Sequence, residues 1–237
     1  MWLSRLPSAG RKEMRNRVSM IRTASRLAVA AAALLGAYVL AIRPWHLRWG
    51  ATDKDVRRPM PGDDLVPHPF LDATRALTIR ARPEEVWPWL VQMGYRRAGF
   101  YSYDFIDNAR IPSADRIIPK LQHLEVGDIL PTGPRDGFTV AALEPNRSLL
   151  LLIDEDRAQI SFSTVLDEID ELHTRLIMRA RARFKVGLLP GLYYLLFEPG
   201  DFVMMRKMML GIKQRAEALA EQRGEQPRTG TAAGPLF

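Results

Sequence analysis

Residues 74–94 read TRALTIRARPEEVWPWLVQMG, and this stretch decides the fold because it changes from strand periodicity to helix periodicity. Over residues 74–82 the side chains alternate between two faces, which predicts a strand. Pro83 then opens a helix whose first turn carries two glutamates, a favourable place for acids in the helix dipole. The helix is predicted to end at Gly94, and its apolar side consists of Val86, Trp87, Leu90, Val91 and Met93.

Five strand-like runs follow this helix, at residues 126–131, 137–143, 148–153, 159–166 and 173–184. Turns rich in Gly, Pro, Asp and Asn separate most of them, with the sequences TGPRDG, EPNR, DEDR and DEIDE. Consecutive strands joined by short turns predict an antiparallel meander.

The last regular element is an amphipathic helix predicted over residues 201–222. Apolar residues recur there at helical spacing and form one face: Phe202, Met205, Met209, Ile212, Ala216 and Leu219. A strand, a helix, a meander and a long C-terminal helix predict an α+β fold in which a curved antiparallel sheet wraps around that last helix.

An apolar segment precedes this domain: residues 27–42 read LAVAAAALLGAYVLAI and contain no charge. The arm before it has seven basic residues and one acid, Glu13, so it supplies nearly all of the chain's formal net charge of +7. Basic charge confined to an arm beside an apolar segment favours anionic lipid as its partner, and argues against a nucleic-acid-binding domain.

Three interpretations of residues 27–42 stay open: an uncleaved transmembrane anchor, a cleaved signal peptide, and a buried helix. Sixteen helical residues span roughly 24 Å, less than a hydrocarbon core of about 30 Å. Arg26 and Arg43 can snorkel, however, and Trp45 and Trp49 suit the membrane interface. A basic region followed by a short apolar one is also typical of a secretory signal. The favoured prediction is a single-pass membrane protein with a cytoplasmic N-terminus.

The chain therefore divides into a basic arm (1–26), a transmembrane anchor (27–42), a Pro-rich linker (43–73), the α+β domain (74–223) and a disordered tail (224–237). There are no cysteines, which excludes disulfides, thiolate catalysis and cysteine-type zinc sites. The four histidines are far apart in the sequence, and no Gly-rich phosphate loop is present. We therefore predict neither a metal nor another cofactor.

The order of the elements and the local sequence resemble the START-like, helix-grip superfamily, also called SRPBCC or polyketide cyclase/dehydratase-like. ALTIRARPEEVWPWLVQMG (76–94) is similar to the first strand and helix of that superfamily, with Pro83, Val86 and Trp87 matching its recurring P-x-x-V-W. Four further stretches resemble an uncharacterised bacterial membrane-associated branch: RPWHLRWGATDKDV, GFYSYDFIDN, SADRIIPKLQHLEVGDILP and EPGDFVMMRKMMLGIKQRAE. One departure is the acidic stretch DEIDE, which stands where a tight turn before the last strand is expected.

The resemblance implies a cavity, which this superfamily uses for lipid carriage, hormone sensing, cyclisation and hydrolysis. Our first hypothesis is a membrane-tethered START-like domain that binds a hydrophobic small molecule, lipid or polyketide-like, as a carrier or sensor. The second is a cyclase/dehydratase-type enzyme that uses the same cavity, and the third is an interaction module at the membrane with a filled cavity. Whether the protein is an enzyme stays open at this point. The predicted partners are the hydrophobic molecule and membrane lipid, and nucleic acid is not among them.

The stretch YSYDFIDN is the densest polar and aromatic cluster of the domain. A carboxylate and phenols at a cavity mouth could orient a ligand's carbonyl or hydroxyl, whereas the alternative is a capped helix end with packed tyrosines. The catalytic candidates are Tyr101, Tyr103, Asp104 and, from the next loop, Asp115. The predicted ligand-binding residues are Trp87, Tyr101, Tyr103, Leu176, Met178, Met205 and Met209.

Four arginines share one face of the last predicted strand, and we expect that face to point away from the cavity: Arg175, Arg179, Arg181 and Arg183. A solvated sheet face is the primary expectation, and contact with anionic headgroups or a partner is the alternative. The apolar run at residues 186–197 is expected to pack in the core, with a gate or a membrane-dipping segment as alternatives.

Overall fold

The computed structural model describes residues 8–155, 158–184 and 190–225, and two compact units divide the chain between Trp45 and His46. The first unit contains α1 (Ser8–Ala37), which continues into a π-helical segment at Tyr38–Ile42. Helical structure covers Arg15–Leu47, 33 residues whose most apolar part contains no buried residue. A helix of this length and composition can cross a membrane, although a signal sequence near the N-terminus has the same properties.

The second unit is built on a six-stranded antiparallel sheet in the order β1-β6-β5-β4-β3-β2. Its strands are β1 (Leu71–Ile79), β2 (Ile129–Pro131), β3 (Gly137–Glu144), β4 (Ser148–Glu155), β5 (Ala158–Asp170) and β6 (His173–Phe184). Each of β2 to β5 pairs with the next strand of the chain, as expected for a meander, and β1 pairs with β6 at the edge of the sheet. The predicted α+β class is confirmed.

Among the described residues, five α-helices accompany the sheet or lead into it: α2 (Arg43–Leu47), α3 (Asp53–Arg57), α4 (Pro83–Val91), α5 (Asp104–Asp107) and α6 (Pro190–Glu225). A short 3₁₀ helix lies at Pro119–Leu121. The main core lies between the sheet, α4 and α6. Its fully buried residues include Val86, Leu90, Met178, Met209 and Ile212. The sheet, α4 and α6 thus pack around one hydrophobic interior.

Several element boundaries differ from the sequence prediction, among them those of β1 and α6. β1 begins at Leu71 and ends at Ile79, earlier at both ends than predicted, because its pairing with β6 starts at Leu71 opposite Ala182. α6 begins at Pro190, before the predicted start at Asp201, and passes through Pro199. A proline inside a helix removes one backbone hydrogen bond without ending the helix when the packing on either side continues. Residues 185–189, and the side chains of 190–196, lie outside the described residues, so the expectation for the run 186–197 has no outcome here.

Most of the acidic stretch DEIDE before β6 belongs to β5, and a tight turn follows it. β5 ends at Asp170, β6 begins at His173, and two residues connect them. The carboxylate of Asp170 accepts hydrogen bonds from the backbone N–H of Leu172 and from the ring of His173. These bonds lower the pKa of Asp170, so the charge of the turn is stabilised locally.

Residues 50–63, which we call the strap, cover the sheet face that lies opposite α6. Met60 packs with Ala76, Val165 and Ile177 there. The strap also contains α3, whose N-terminus is capped by Thr52 through a reciprocal bond with Asp55.

The expectation of a solvated arginine face is wrong for Arg175, Arg179 and Arg181, because the strap occupies it. Arg175 donates to Asp55 at 2.8 Å, and Arg179 pairs with Asp63 at 2.6 Å. Arg179 also donates to the carbonyls of three strap residues, Asp55, Val56 and Arg58, and only 5% of its side chain is exposed. Arg183 alone of the four is exposed. The other three arginines therefore bind the protein's own strap.

Candidate ligand-binding site

A cavity of about 260 Å³ lies between the sheet and α6 in the second unit. Strands β3, β4 and β5 supply one wall, α6 supplies the other, and the segment that contains α5 contributes further lining residues. Its lining residues are Met93, Phe100, Ser102, Asp107, Thr132, Phe138, Leu151, Phe162, Asp201, Met204, Met205 and Met208. The walls are mainly apolar, with a few polar side chains, as in sites for hydrophobic small molecules.

Two acidic side chains lie on the cavity wall, and they differ in their partners. Asp201 accepts a hydrogen bond at 2.7 Å from Nη1 of Arg75, a residue with no exposed surface. Arg75 is itself held by the carbonyl of His46 and by the ring of Phe202, 5.3 Å from its guanidinium carbon. Asp107 has no ion-pair partner among the described residues. Both of its carboxylate oxygens are buried, and neither accepts a hydrogen bond from these residues. The charge of Asp201 is thus compensated by Arg75, whereas no cation among the described residues compensates that of Asp107.

The position of Asp107 follows from hydrogen bonds made by its neighbours Asp104 and Asn108. Asp104 accepts from both the backbone N–H and the hydroxyl of Ser113. Asn108 is buried, accepts from the N–H of Arg96 at 2.8 Å and donates to the carbonyl of Ile111 at 2.7 Å. Because these two side chains fix the short helix α5 to the surrounding loops, Asp107 is left on the side that lines the cavity.

Burial, and after it the nearby charge of Asp104, raises the pKa of Asp107 to about 6. The Ser102 hydroxyl and the backbone amides of Tyr103 and Asp107 oppose this rise, since they favour the ionised form. Those groups are near Asp107 without completing a well-aligned hydrogen bond, in agreement with the buried oxygens that have no partner. Asp107 is therefore a carboxyl group that can change its protonation state close to neutral pH.

Tyr101 does not line the cavity, although the sequence marks it as a catalytic and a binding candidate. Its hydroxyl donates to the carbonyl of Trp89 and accepts from Gln92, each at 3.0 Å. The guanidinium of Arg215 lies 4.6 Å from the centre of its ring. Burial raises the pKa of Tyr101 above its usual range, and with both sides of its hydroxyl occupied the phenol serves to fix the loop to α4.

The three other catalytic candidates also lie away from the cavity lining. Tyr103 precedes α5 and packs edge-on against Phe105, with ring centres 6.0 Å apart. Asp104 is the side chain that binds Ser113. Asp115 is exposed and lines a separate surface groove beside Trp89 and Arg215. The structure thus does not bring these candidates together around one reacting position.

Of the predicted ligand-binding residues, Met205 lines the cavity. Trp87, Leu176, Met178 and Met209 are buried in the core, where they support the walls. Met204 and Met208, which neighbour Met205 on α6, line the cavity as well. Helical spacing identifies the buried face of α6, but it does not separate core residues from residues beside an opening.

Several lining residues are missed by the sequence reasoning, above all Asp107, Asp201, Phe138 and Phe162. Asp107 belongs to the cluster YSYDFIDN, but a four-residue helix gives too little periodicity to choose between its two aspartates. Phe138 and Phe162 follow strand alternation and could be found once strand pairing is known.

No group of three or more His, Cys, Asp or Glu side chains that could hold a metal ion occurs in the part of the chain that the structure describes. The lining of the cavity supplies a carboxyl group, two hydroxyls, an Arg–Asp ion pair and apolar walls.

No family model and no curated protein matches this chain. Solved structures with a similar arrangement include SA2116 from Staphylococcus aureus, a protein of unknown function, at 13% identity and a TM-score of 0.41 over 65% of this chain and 97% of that one. CalU16 from Micromonospora echinospora has 16% identity and a TM-score of 0.33, with 63% and 86% of the two chains covered. The di-domain ARO/CYC StfQ from the steffimycin biosynthetic pathway has 14% identity and a TM-score of 0.36, with 65% and 52% covered. At these values the similarity says nothing about ligand or reaction.

Proposed function

We propose that this protein binds a hydrophobic small molecule, lipid-like or polyketide-like, in the cavity between the sheet and α6. The observation that carries this proposal is the lining itself, which combines Phe and Met side chains with few polar groups. Methionine side chains adapt to irregular guests, and four of them line the cavity: Met93, Met204, Met205 and Met208.

The proposed setting is a membrane to which the apolar N-terminal helix anchors the domain. The helical run Arg15–Leu47 is long and apolar enough for this role, and the basic arm suits anionic headgroups on the cytoplasmic side. A tether of this kind keeps a carrier or sensor close to the bilayer in which its hydrophobic ligand is dissolved. To test which side of the membrane each end occupies, Glu13 and Asp115 are replaced by cysteine, one at a time. Intact cells are then treated with a membrane-impermeant thiol reagent. Labelling of both positions from outside would contradict the proposed anchor.

The binding proposal is tested with a neutral apolar fluorophore, N-phenyl-1-naphthylamine, and the full chain in phosphatidylcholine nanodiscs. Met204 is half-buried and lines the cavity, so Met204→Trp should fill it. Val203 is the adjacent residue, is 47% exposed and does not line the cavity, so Val203→Trp is a matched control. We expect saturable binding by the wild type and by Val203→Trp, and its loss in Met204→Trp. Equal titrations for the wild type and Met204→Trp would overturn the proposal.

A second candidate function is an enzyme of the cyclase/dehydratase type that acts in the same cavity. The observation in its favour is Asp107, whose pKa of about 6 suits a general acid or base near neutral pH. Asp107 thereby replaces Asp104 and Asp115 as the residue to test. If the molecule that co-purifies with Asp107→Asn is chemically identical to the one that co-purifies with the wild type, the enzymatic candidate is contradicted.

A further inference from the structure

The cavity carries a negative charge that its own lining does not neutralise. Two aspartates and no Lys, Arg or His occur among the described lining residues. Asp201 has the buried cation of Arg75 beside it, whereas both oxygens of Asp107 are buried without a partner. A buried carboxylate without a partner is costly, so such a group points to a ligand that supplies the missing partner.

Aromatic side chains line the same cavity as this charge. Phe100, Phe138 and Phe162 line the same cavity, and the ring centres of Phe138 and Phe162 are 6.2 Å apart. The faces of aromatic rings attract cations, and this attraction is larger where water is excluded. Carboxylate, ring faces and thioethers together form a surface that suits a positively charged group on an apolar body.

We infer that the ligand of this cavity is a hydrophobic amine, whose ammonium group pairs with the carboxylate of Asp107 while its apolar body lies against the Phe and Met side chains. This inference rests on the proposed function, since it names the chemical class of the molecule that the cavity binds. An ammonium group donates charge-assisted hydrogen bonds that satisfy Asp107, which a neutral hydroxyl does more weakly. A ligand carboxylate would meet the uncompensated charge of Asp107 and is disfavoured.

The ionisation of Asp107 supports the inference without carrying it. Its pKa of about 6, raised by burial and by Asp104, still leaves the group mostly ionised near neutral pH. A cation beside it would oppose both causes of that rise. Near neutral pH the cavity therefore presents an anion, and an aliphatic amine is a cation at the same pH.

Three probes with one apolar body test the inference: 4-phenylbutylamine, 4-phenylbutan-1-ol and 4-phenylbutyrate. Their binding is measured calorimetrically near neutral pH to the full chain in zwitterionic nanodiscs, with Met204→Trp nanodiscs as the background for partition into lipid. Asp107→Asn removes the charge and keeps the shape of the side chain. Asp115→Asn is the matched control, because Asp115 is an exposed acid in a groove outside the cavity.

We expect the amine to bind at least about tenfold more tightly than the alcohol to the wild type and to Asp115→Asn, and the butyrate to bind least. In Asp107→Asn the preference for the amine should vanish while the affinity for the alcohol stays the same. Equal affinities of amine and alcohol for the wild type, or a preference that persists in Asp107→Asn, would overturn the inference and leave the proposed function intact. Absence of binding by all three probes would overturn both.

Discussion

Arg75 on β1 donates a hydrogen bond to Asp201 on α6 at 2.7 Å, and this buried ion pair joins one edge of the sheet to the helix that forms a cavity wall. The side chain of Arg75 is fully buried and that of Asp201 is 19% exposed. Because Arg75 also binds the carbonyl of His46, it connects the start of the second unit, the sheet and α6. The pair thus fixes the helix segment that carries Asp201, Met204 and Met205 against the sheet.

Loss of both members of this pair should cost less stability than the sum of the two single losses. We expect Arg75→Leu to lower the free energy of unfolding by about 3–5 kcal/mol, because it removes the ion pair with Asp201 and the hydrogen bond to the His46 carbonyl. The double variant Arg75→Leu/Asp201→Leu should be less destabilised than the sum of the single variants. Urea unfolding followed by tryptophan fluorescence measures all three, and strictly additive effects would contradict a coupled pair.

Asp107 should make stability depend on pH in the opposite direction to an ordinary ion-paired carboxylate. Its folded-state pKa is about 6, above the ordinary value of 3.8 that applies to the unfolded chain. Below both values the group is protonated in the folded and the unfolded state, so it does not change the stability. As the pH rises from about 4 to 6, the unfolded chain ionises first and stability is lost. The loss is complete above about pH 6.

Asp107→Asn should therefore stabilise the fold near neutral pH, by on the order of 1 kcal/mol once solvent screening is allowed for, and have little effect near pH 4. Ser102, Tyr103 and Asp104 contribute the polar and charged groups around this carboxyl, and none of them changes in the variant. Unfolding curves at several pH values compare it with Asp115→Asn. A variant that is less stable than the wild type at neutral pH would show that Asp107 has a stabilising partner.

The strap should depend on the guanidinium fork of Arg179. This side chain bonds Thr74, Asp63 and three backbone carbonyls, a set that a lysine ammonium cannot reproduce. We expect Arg179→Lys to lower the free energy of unfolding by about 2–4 kcal/mol and to speed proteolysis within residues 50–63. Arg183→Lys, on the same face but exposed, should change neither quantity. Equal effects at the two positions would rule out this role for the strap contact.

Gly211 permits α6 to approach the loop at Tyr101. A Cβ at this position would lie 2.7 Å from the Cβ of Tyr101 and would also meet the Tyr101 carbonyl, whereas a Cβ at Gly200 meets nothing within 4 Å. Gly211→Ala should therefore destabilise the protein by about 1–3 kcal/mol, and Gly200→Ala should stabilise it by up to about 1 kcal/mol. Thermal unfolding of both variants gives the comparison. Stabilisation by Gly211→Ala would contradict the close packing.

Much of the fold can be predicted from the sequence because its periodicities are strong. The alternation before Pro83, the turns between the meander strands and the apolar face of α6 each come from local patterns that tertiary packing preserves. The strap escapes prediction for a physical reason. Its contacts with Arg175 and Arg179 join residues more than a hundred positions apart, and nothing local in a Pro-rich segment indicates which sheet face it covers.

The candidate site is predicted less completely than the fold. The sequence identifies the cluster around α5 and the methionines of α6, and the structure draws Asp107 and Met205 from them. It does not identify Asp201 or its partner Arg75, since a buried arginine within a strand looks like any exposed one in an alternating pattern. Choosing Asp107 over Asp104 requires the hydrogen bonds of Ser113 and Asn108, which are tertiary contacts.

The most direct test of the central claim is mass spectrometry of small molecules extracted from the natively purified full chain. The account predicts a defined hydrophobic species, close to one per chain, in the wild type and in Val203→Trp, and its absence from Met204→Trp. The same species in equal amount with Met204→Trp, or no bound molecule in a well-folded wild-type protein, would contradict a ligand-binding cavity.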